Sequence, residues 1–89
     1  MSAEELEAML AELRAARDAV DGEAEERLDT LVGKVGRAVD AGRTLDHGAL
    51  ARITRTLEEV AADADDEAAA RLADAKEAVS TYREGVPGA

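Results

Sequence analysis

Apolar residues recur every three or four positions along almost the whole chain, and this spacing limits its fold more than any other feature. Residues at these steps lie along one side of an α-helix, which has about 3.6 residues per turn. The sequence therefore predicts an all-α protein with four amphipathic helices. The four apolar stripes are Leu6, Met9, Leu10, Leu13, Ala16 and Val20; Ala24, Leu28, Leu31, Val32, Val35, Ala38 and Val39; Leu50, Ile53, Leu57, Val60 and Ala64; and Ala68, Leu72, Ala75, Val79 and Tyr82.

Glycines and capping residues predict where these helices begin and end. Gly42 can adopt the left-handed conformation that ends a helix, and Asp46 can cap the helix that follows. Residues 42–46 are therefore predicted to be a turn. Gly85 is predicted to end the fourth helix in the same left-handed conformation.

Two other segments, residues 21–23 and residues 62–66, break the helical pattern only through capping preferences and one glycine. As turns, they divide the chain into the four helices of a bundle. The alternative is continuous helix through both segments, which gives two helices of about 38 residues that form an antiparallel hairpin. Such a hairpin would have to dimerise to bury its stripes.

An internal repeat favours the four-helix bundle. An ungapped alignment of the two halves places Leu10 on Leu50 and Val20 on Val60. The sequence therefore predicts one domain over residues 1–89, made of two tandem helical hairpins at residues 2–42 and residues 46–85.

The composition indicates the surroundings of the protein. Twenty-one acidic residues against eleven lysines and arginines give a formal net charge of -10, so nucleic acid is not the expected partner. An acidic surface with many alanines and two lysines is typical of salt-adapted proteins. No segment is long and apolar enough to span a bilayer and no signal region is present, so we expect a cytoplasmic protein.

The core of such a chain is small, because 89 residues include a single aromatic residue, Tyr82. The entropy lost on ordering the chain offsets most of the gain from apolar burial. Additional stabilisation is therefore expected from self-association or a partner helix, or from concentrated salt.

No pattern in the sequence is typical of a catalytic or metal site. The chain has no cysteine, and His47 is its only histidine, so it lacks the ligands of a zinc site. The acidic run at residues 63–67 does not match a calcium-binding loop, because Ala68 and Asp74 occupy the positions of the required glycine and glutamate. We predict a non-enzymatic protein with no cofactor, bound metal or small-molecule substrate.

Charge is unevenly distributed along the chain. Residues 34–57 carry five cations and two carboxylates, whereas the segments on both sides are strongly acidic. In an up-down bundle the turn at residues 42–46 would form a basic end, and the other two turns an acidic end. The candidate contact residues there are Arg43, His47, Arg52 and Arg55. His47 would lie beside the free N–H groups that begin a helix, where an anion can bind, or would simply be solvated.

A simpler interpretation assigns these cations to ordinary surface pairs. Arg55, for example, could pair with Glu58 or Glu59 one helical turn away.

Two segments, Asp46-His47-Gly48-x-Leu50-x-Arg52 and Tyr82-Arg83-Glu84-x-Val86, resemble an uncharacterised family of short acidic haloarchaeal proteins. The likeness is strongest over residues 44–86. It implies a salt-adapted cytosolic helical protein and no specific activity. Ile53 stands where that pattern would have a second histidine, which argues against a metal site.

Two functional hypotheses follow. The first is a non-enzymatic helical protein–protein interaction or structural module in a salt-adapted cytosol. The second is a regulator that binds an anionic ligand or nucleic acid through the basic turn at residues 37–55.

Overall fold

The computed structural model describes residues 3–86 and consists of four α-helices. The helices are α1 (Ala3–Asp18), α2 (Gly22–Ala41), α3 (His47–Ala61) and α4 (Asp66–Glu84). No strand occurs among the described residues. The predicted four-helix bundle is therefore confirmed, and the alternative with two long helices is wrong because the chain leaves the helical conformation at residues 19–21 and 62–65.

The four helices form a ring in chain order, and short connections make consecutive helices antiparallel. α1 packs against α2 and α4, and α3 packs against α4 and, least extensively, against α2. Within residues 3–86 the backbones of the diagonal pairs, α1 with α3 and α2 with α4, lie farther apart than those of neighbouring helices. The α1–α4 interface and the α2–α3 interface therefore lie on opposite sides of the bundle.

The core is one apolar cluster built from the predicted stripes. Each helix contributes five buried residues, and no polar or charged residue among residues 3–86 is buried. Residues at the ends of the stripes, such as Val20 and Val39, are half-buried. Leu45, in the turn before α3, is also buried in this cluster. Because all four stripes face the same interior, the helices cover one another without a second chain.

The turn at residues 42–46 is formed as predicted. Gly42 has the left-handed conformation, with φ of 65°, and the N–H of Arg43 donates to the Ala38 carbonyl oxygen at 2.9 Å. Asp46 caps α3, since its Oδ1 accepts a hydrogen bond from the Ala49 N–H at 2.7 Å. This turn thus satisfies backbone groups at the end of one helix and the start of the next.

The prediction for Gly85 is wrong, because its φ is -92° rather than left-handed. The N–H groups of Gly85 and Val86 donate to the carbonyl oxygens of Tyr82 and Arg83, at 3.1 and 3.0 Å. α4 therefore ends by tightening its last turn, which needs no left-handed residue. Gly22 instead is left-handed, with φ of 64°, at the start of α2.

We expect Gly36→Ala to raise the free energy of unfolding by about 0.5–1 kcal/mol, because glycine costs about that much inside a helix relative to alanine. A β-carbon on Gly36 would meet no atom within 4 Å, so the new methyl group fits. Urea unfolding followed by circular dichroism measures the change. Gly42→Ala is the control and should lose about 1 kcal/mol or more, because its left-handed backbone opposes a side chain. A loss of stability in Gly36→Ala would contradict this expectation.

Candidate functional site

Ion pairs join three of the four pairs of neighbouring helices. The pairs are Arg17–Asp29 between α1 and α2, Arg27–Glu59 between α2 and α3, and Lys76–Glu58 between α3 and α4. Arg17 also contacts Asp18. The hydrogen bond to Asp29 is the main cause that raises the pKa of the Arg17 guanidinium above its ordinary value, so this group stays cationic.

The sequence predicted that Arg55 could pair with Glu58 or Glu59, and it pairs with neither. Glu58 pairs with Lys76 and Glu59 pairs with Arg27, so both carboxylates bind cations of neighbouring helices. Arg55 is exposed and forms no ion pair within the part of the chain that the structure describes. The interpretation of Arg55 as an ordinary surface pair is therefore wrong.

Arg55 is one of five cations in the middle of the sequence, which we call the basic region: Lys34, Arg37, Arg43, Arg52 and Arg55. None of them forms an ion pair with a carboxylate of residues 3–86. The ion pairs of the bundle are made by cations from the acidic parts of the chain.

Helical register brings two of these cations to the same level of the α2–α3 interface. Arg27 on α2 bonds Glu59 on α3. Lys34 lies seven residues after Arg27, and Arg52 lies seven residues before Glu59, so each is on the same face of its helix as the bonded residue. Because the helices are antiparallel, Lys34 and Arg52 come to the same level. We call this the basic seam. Sequence reasoning missed Lys34, although its spacing from Arg27 was a signal.

The four sequence-predicted contact residues are not gathered into one pocket. Arg43 lines a cavity at the end of the bundle, whereas Arg52 and Arg55 lie exposed along α3. His47 is the first residue of α3 and is half-buried, and its Nε2 is shielded from solvent without a hydrogen-bond partner among the described residues. The prediction of a solvated histidine is thus wrong for this nitrogen.

The start of α3 does not offer the open anion site that the sequence suggested. The Asp46 carboxylate already accepts a hydrogen bond from the Ala49 N–H. Glu4 at the start of α1 and Glu84 at the end of α4 lie at the same end of the bundle as the turn at residues 42–46. The positive character therefore belongs to the α2–α3 side rather than to the whole end.

The opposite side of the bundle is acidic. A groove of 260 Å³ between α1 and α4, here called the acidic groove, is lined by Glu5, Ala8, Glu12, Asp74, Glu77, Ala78 and Thr81. Glu12, Asp74 and Glu77 form no ion pair with a cation of residues 3–86. The bundle thus carries unpaired charge of opposite sign on its two opposite sides.

Aspartates also gather at the end of the bundle away from residues 42–46. Asp18, Asp21, Asp63 and Asp65 line a cavity of 360 Å³ there. Among residues 3–86, however, no three histidine or carboxylate side chains are placed to hold a metal ion. None of the helices formed by residues 3–86 has both the length and the apolar character needed to cross a bilayer.

A third cavity, here called the Tyr82 pocket, has a volume of 220 Å³ and is lined by Ala3, Leu6, Ala38, Val39, Gly42, Arg43, Thr44 and Tyr82. The buried Tyr82 hydroxyl oxygen accepts a hydrogen bond from the Leu45 N–H at 3.1 Å. This bond ties the end of α4 to the turn before α3. The pocket therefore lies between the ends of both hairpins.

Comparison with known proteins gives one match. The model of a family of unknown function (DUF7553) matches residues 1–85. No curated protein and no solved structure shows a significant match to the chain.

Proposed function

The chain belongs to this family of unknown function, and we propose that it is a non-enzymatic protein–protein interaction module of a salt-adapted cytoplasm. Its basic region binds the acidic groove of a second copy of the same chain. The observation that carries this proposal is the basic seam, where Lys34 and Arg52 lie at the same level of neighbouring helices and neither is paired with a carboxylate of residues 3–86. The net charge of -10 supports the salt-adapted setting.

The seam favours an incoming carboxylate. Two cations at the same level of neighbouring helices repel each other, and a negative group between them lowers the energy of both. α2 and α3 also make the least extensive contact of the four interfaces. A carboxylate from a partner would thus add a bond between two helices that the chain itself joins weakly.

The acidic groove has the charge and spacing to supply such carboxylates. Asp74 and Glu77 are three residues apart on α4, and Arg52 and Arg55 are three residues apart on α3. A rise of about 1.5 Å per residue separates the members of each pair by about 4.5 Å along their helix axis. The two pairs therefore match in spacing and are opposite in charge.

The location of these surfaces determines the type of assembly. They lie on opposite sides of the bundle, so each copy offers its basic region to one neighbour and its acidic groove to another. This contact is heterologous, and repetition gives either a closed ring or an open chain of subunits.

Charge reversal on each surface tests this proposal. Arg52→Glu with Arg55→Glu reverses two of the charges of the basic region, and Asp74→Lys with Glu77→Lys reverses two of the charges of the acidic groove. Sedimentation velocity in about 1 M KCl measures the association. The Debye length at this salt concentration is about 3 Å, so only charges close to contact affect the result. We expect the unaltered protein to associate as its concentration rises, and each variant alone to show a Kd at least about tenfold higher.

A mixture of the two variants gives the decisive result. One retains the acidic groove and the other retains the basic region, and the two altered surfaces are also opposite in charge, so the mixture should recover the association that each variant alone has lost. The matched control, Arg14→Glu with Arg83→Glu, changes exposed arginines outside both surfaces by the same total charge and should leave association unchanged. A monomeric unaltered protein at every concentration, or an equal loss in the control, would overturn the proposal.

A second candidate function is a regulator that binds an anionic ligand or nucleic acid through residues 37–55. The exposed and unpaired Arg43, Arg52 and Arg55 favour it. Within this segment, Arg43 is the candidate that lines a cavity. The chemistry of that cavity identifies the class of anion.

A further inference from the structure

The Tyr82 pocket differs in chemistry from the other cavities of the described chain. Its lining includes one cation, Arg43, and no carboxylate. The acidic groove and the aspartate-lined cavity contain several carboxylates, and a further cavity between α3 and α4 is lined by Glu58. In a chain with nearly twice as many acidic as basic residues, a cavity whose lining has no carboxylate repels an anion less than the acidic cavities do.

Tyr82 also leaves one buried hydrogen-bond donor unused. Its side chain is 1% exposed, and its hydroxyl oxygen accepts from the Leu45 N–H. The hydroxyl proton donates to no acceptor among residues 3–86. A phenol can accept and donate at the same time, and a buried donor without an acceptor is costly. An acceptor placed in the pocket would therefore complete the bonding of this hydroxyl.

Two carbonyl oxygens at the helix end beside the pocket are occupied by hydrogen bonds. α2 ends there, and carbonyl oxygens at a helix C-terminus usually repel negative charge. Here the Ala38 carbonyl oxygen accepts a hydrogen bond from the Arg43 N–H, and the Val39 carbonyl oxygen accepts one from the Gly42 N–H. The opposite wall includes Ala3, the first residue of α1, where the helix dipole favours an anion.

We infer that the Tyr82 pocket binds a small aliphatic carboxylate. The carboxylate accepts the Tyr82 hydroxyl proton and pairs with the Arg43 guanidinium, while the aliphatic tail packs against the apolar side chains of Leu6 and Val39. The cavity volume of 220 Å³ corresponds to roughly seven water molecules at about 30 Å³ each. It therefore suits a carboxylate with a tail of roughly four carbons.

This inference rests on the second candidate function and names its ligand class. Inorganic phosphate and nucleic acid would also be attracted by Arg43, but neither has an aliphatic part to fill the apolar walls. Dependence of affinity on the length of an aliphatic tail thus distinguishes the pocket from simple attraction of anions.

The inference is tested by titrating the full chain with acetate, butyrate and hexanoate in about 1 M KCl and measuring the NMR chemical shifts. Each added methylene that fits the cavity should lower Kd about fourfold. Hexanamide has the same tail without the charge and should bind at least about tenfold more weakly. The largest shifts are expected at Val39, Thr44 and Tyr82.

Variants of the pocket and of the surface separate the possible outcomes. Arg43→Gln should raise the Kd for hexanoate about tenfold, and Ala3→Leu should abolish binding by filling the cavity, with both chains still folded. Arg14→Gln, an exposed arginine outside both the pocket and the basic region, is the matched control and should bind normally. Arg55→Gln tests whether the basic region outside the pocket contributes to binding. A Kd that does not depend on tail length, or a loss of affinity in Arg55→Gln as large as that in Arg43→Gln, would contradict binding in the pocket. Either result would still agree with binding of anions to the basic region. No binding of hexanoate, phosphate or DNA would overturn both.

Discussion

Replacing Tyr82 with alanine is expected to lower the free energy of unfolding by about 3–5 kcal/mol, as large-to-small changes of buried aromatic residues do. Tyr82 is the largest fully buried side chain and the only aromatic residue of the chain. Its loss leaves a cavity where the ends of α4 and α2 meet the turn at residues 42–46. A small domain has about 5–15 kcal/mol of stability in total, so this single change should bring the protein close to unfolding.

Tyr82→Phe isolates the hydroxyl group. The ring stays, but the Leu45 N–H loses its acceptor, and an unsatisfied buried donor costs about 1–3 kcal/mol. Urea unfolding in about 1 M KCl, followed by circular dichroism at helix wavelengths, measures both variants. Ser80→Ala removes an exposed hydroxyl from the same helix and should change the stability by less than about 0.5 kcal/mol. If Tyr82→Phe were as stable as Ser80→Ala, the Tyr82–Leu45 bond would have no role in holding the turn.

The second large effect is expected at the two aspartate caps. Asp46 accepts a hydrogen bond from the Ala49 N–H at 2.7 Å, and Asp65 accepts one from the Ala68 N–H at 2.8 Å. Removing a side-chain cap costs about 0.5–2 kcal/mol. The two sites are at opposite ends of the bundle, so their costs should add, and the double variant Asp46→Ala with Asp65→Ala should lose about 2 kcal/mol.

Asp21→Ala provides the control for these caps. Asp21 also precedes a helix, but its side chain makes no capping hydrogen bond. Its substitution removes the same charge near a helix N-terminus and should cost less than Asp46→Ala in thermal unfolding. Asp65→Ala should cost somewhat less than Asp46→Ala at low salt, because it also relieves repulsion from Asp18, Asp21 and Asp63. Equal losses for Asp21→Ala and Asp46→Ala would show that the capping bond contributes nothing beyond charge.

The helices and the core could be predicted because they depend on local spacing. Leu13, Leu50 and Val79 are buried as their stripes required, and Asp46 caps α3 as its side chain allows. Gly85 was predicted wrongly because a helix can also end with a tightened turn, and the sequence around a glycine does not distinguish these two endings. The Tyr82–Leu45 hydrogen bond joins residues far apart in sequence, so no local sequence pattern predicts it.

The candidate site was only partly predictable for the same reason. The charge count of residues 34–57 identified the basic region, and Arg43, Arg52 and Arg55 do lie free of ion pairs there. Whether Arg55 pairs with Glu58 or Glu59 depends on which cations the neighbouring helices present, and that is a property of packing. The acidic groove likewise exists only once α1 and α4 lie side by side.

The neighbouring residues Glu58 and Glu59 bond in opposite directions, the first to Lys76 on α4 and the second to Arg27 on α2. Consecutive residues point about 100° apart around a helix axis, so one short stretch of α3 holds the helices on both of its flanks. If α3 rotated or slid by one residue, it would lose both bonds together. Two neighbouring residues of α3 therefore supply one ion pair within its own hairpin and one ion pair to the other hairpin.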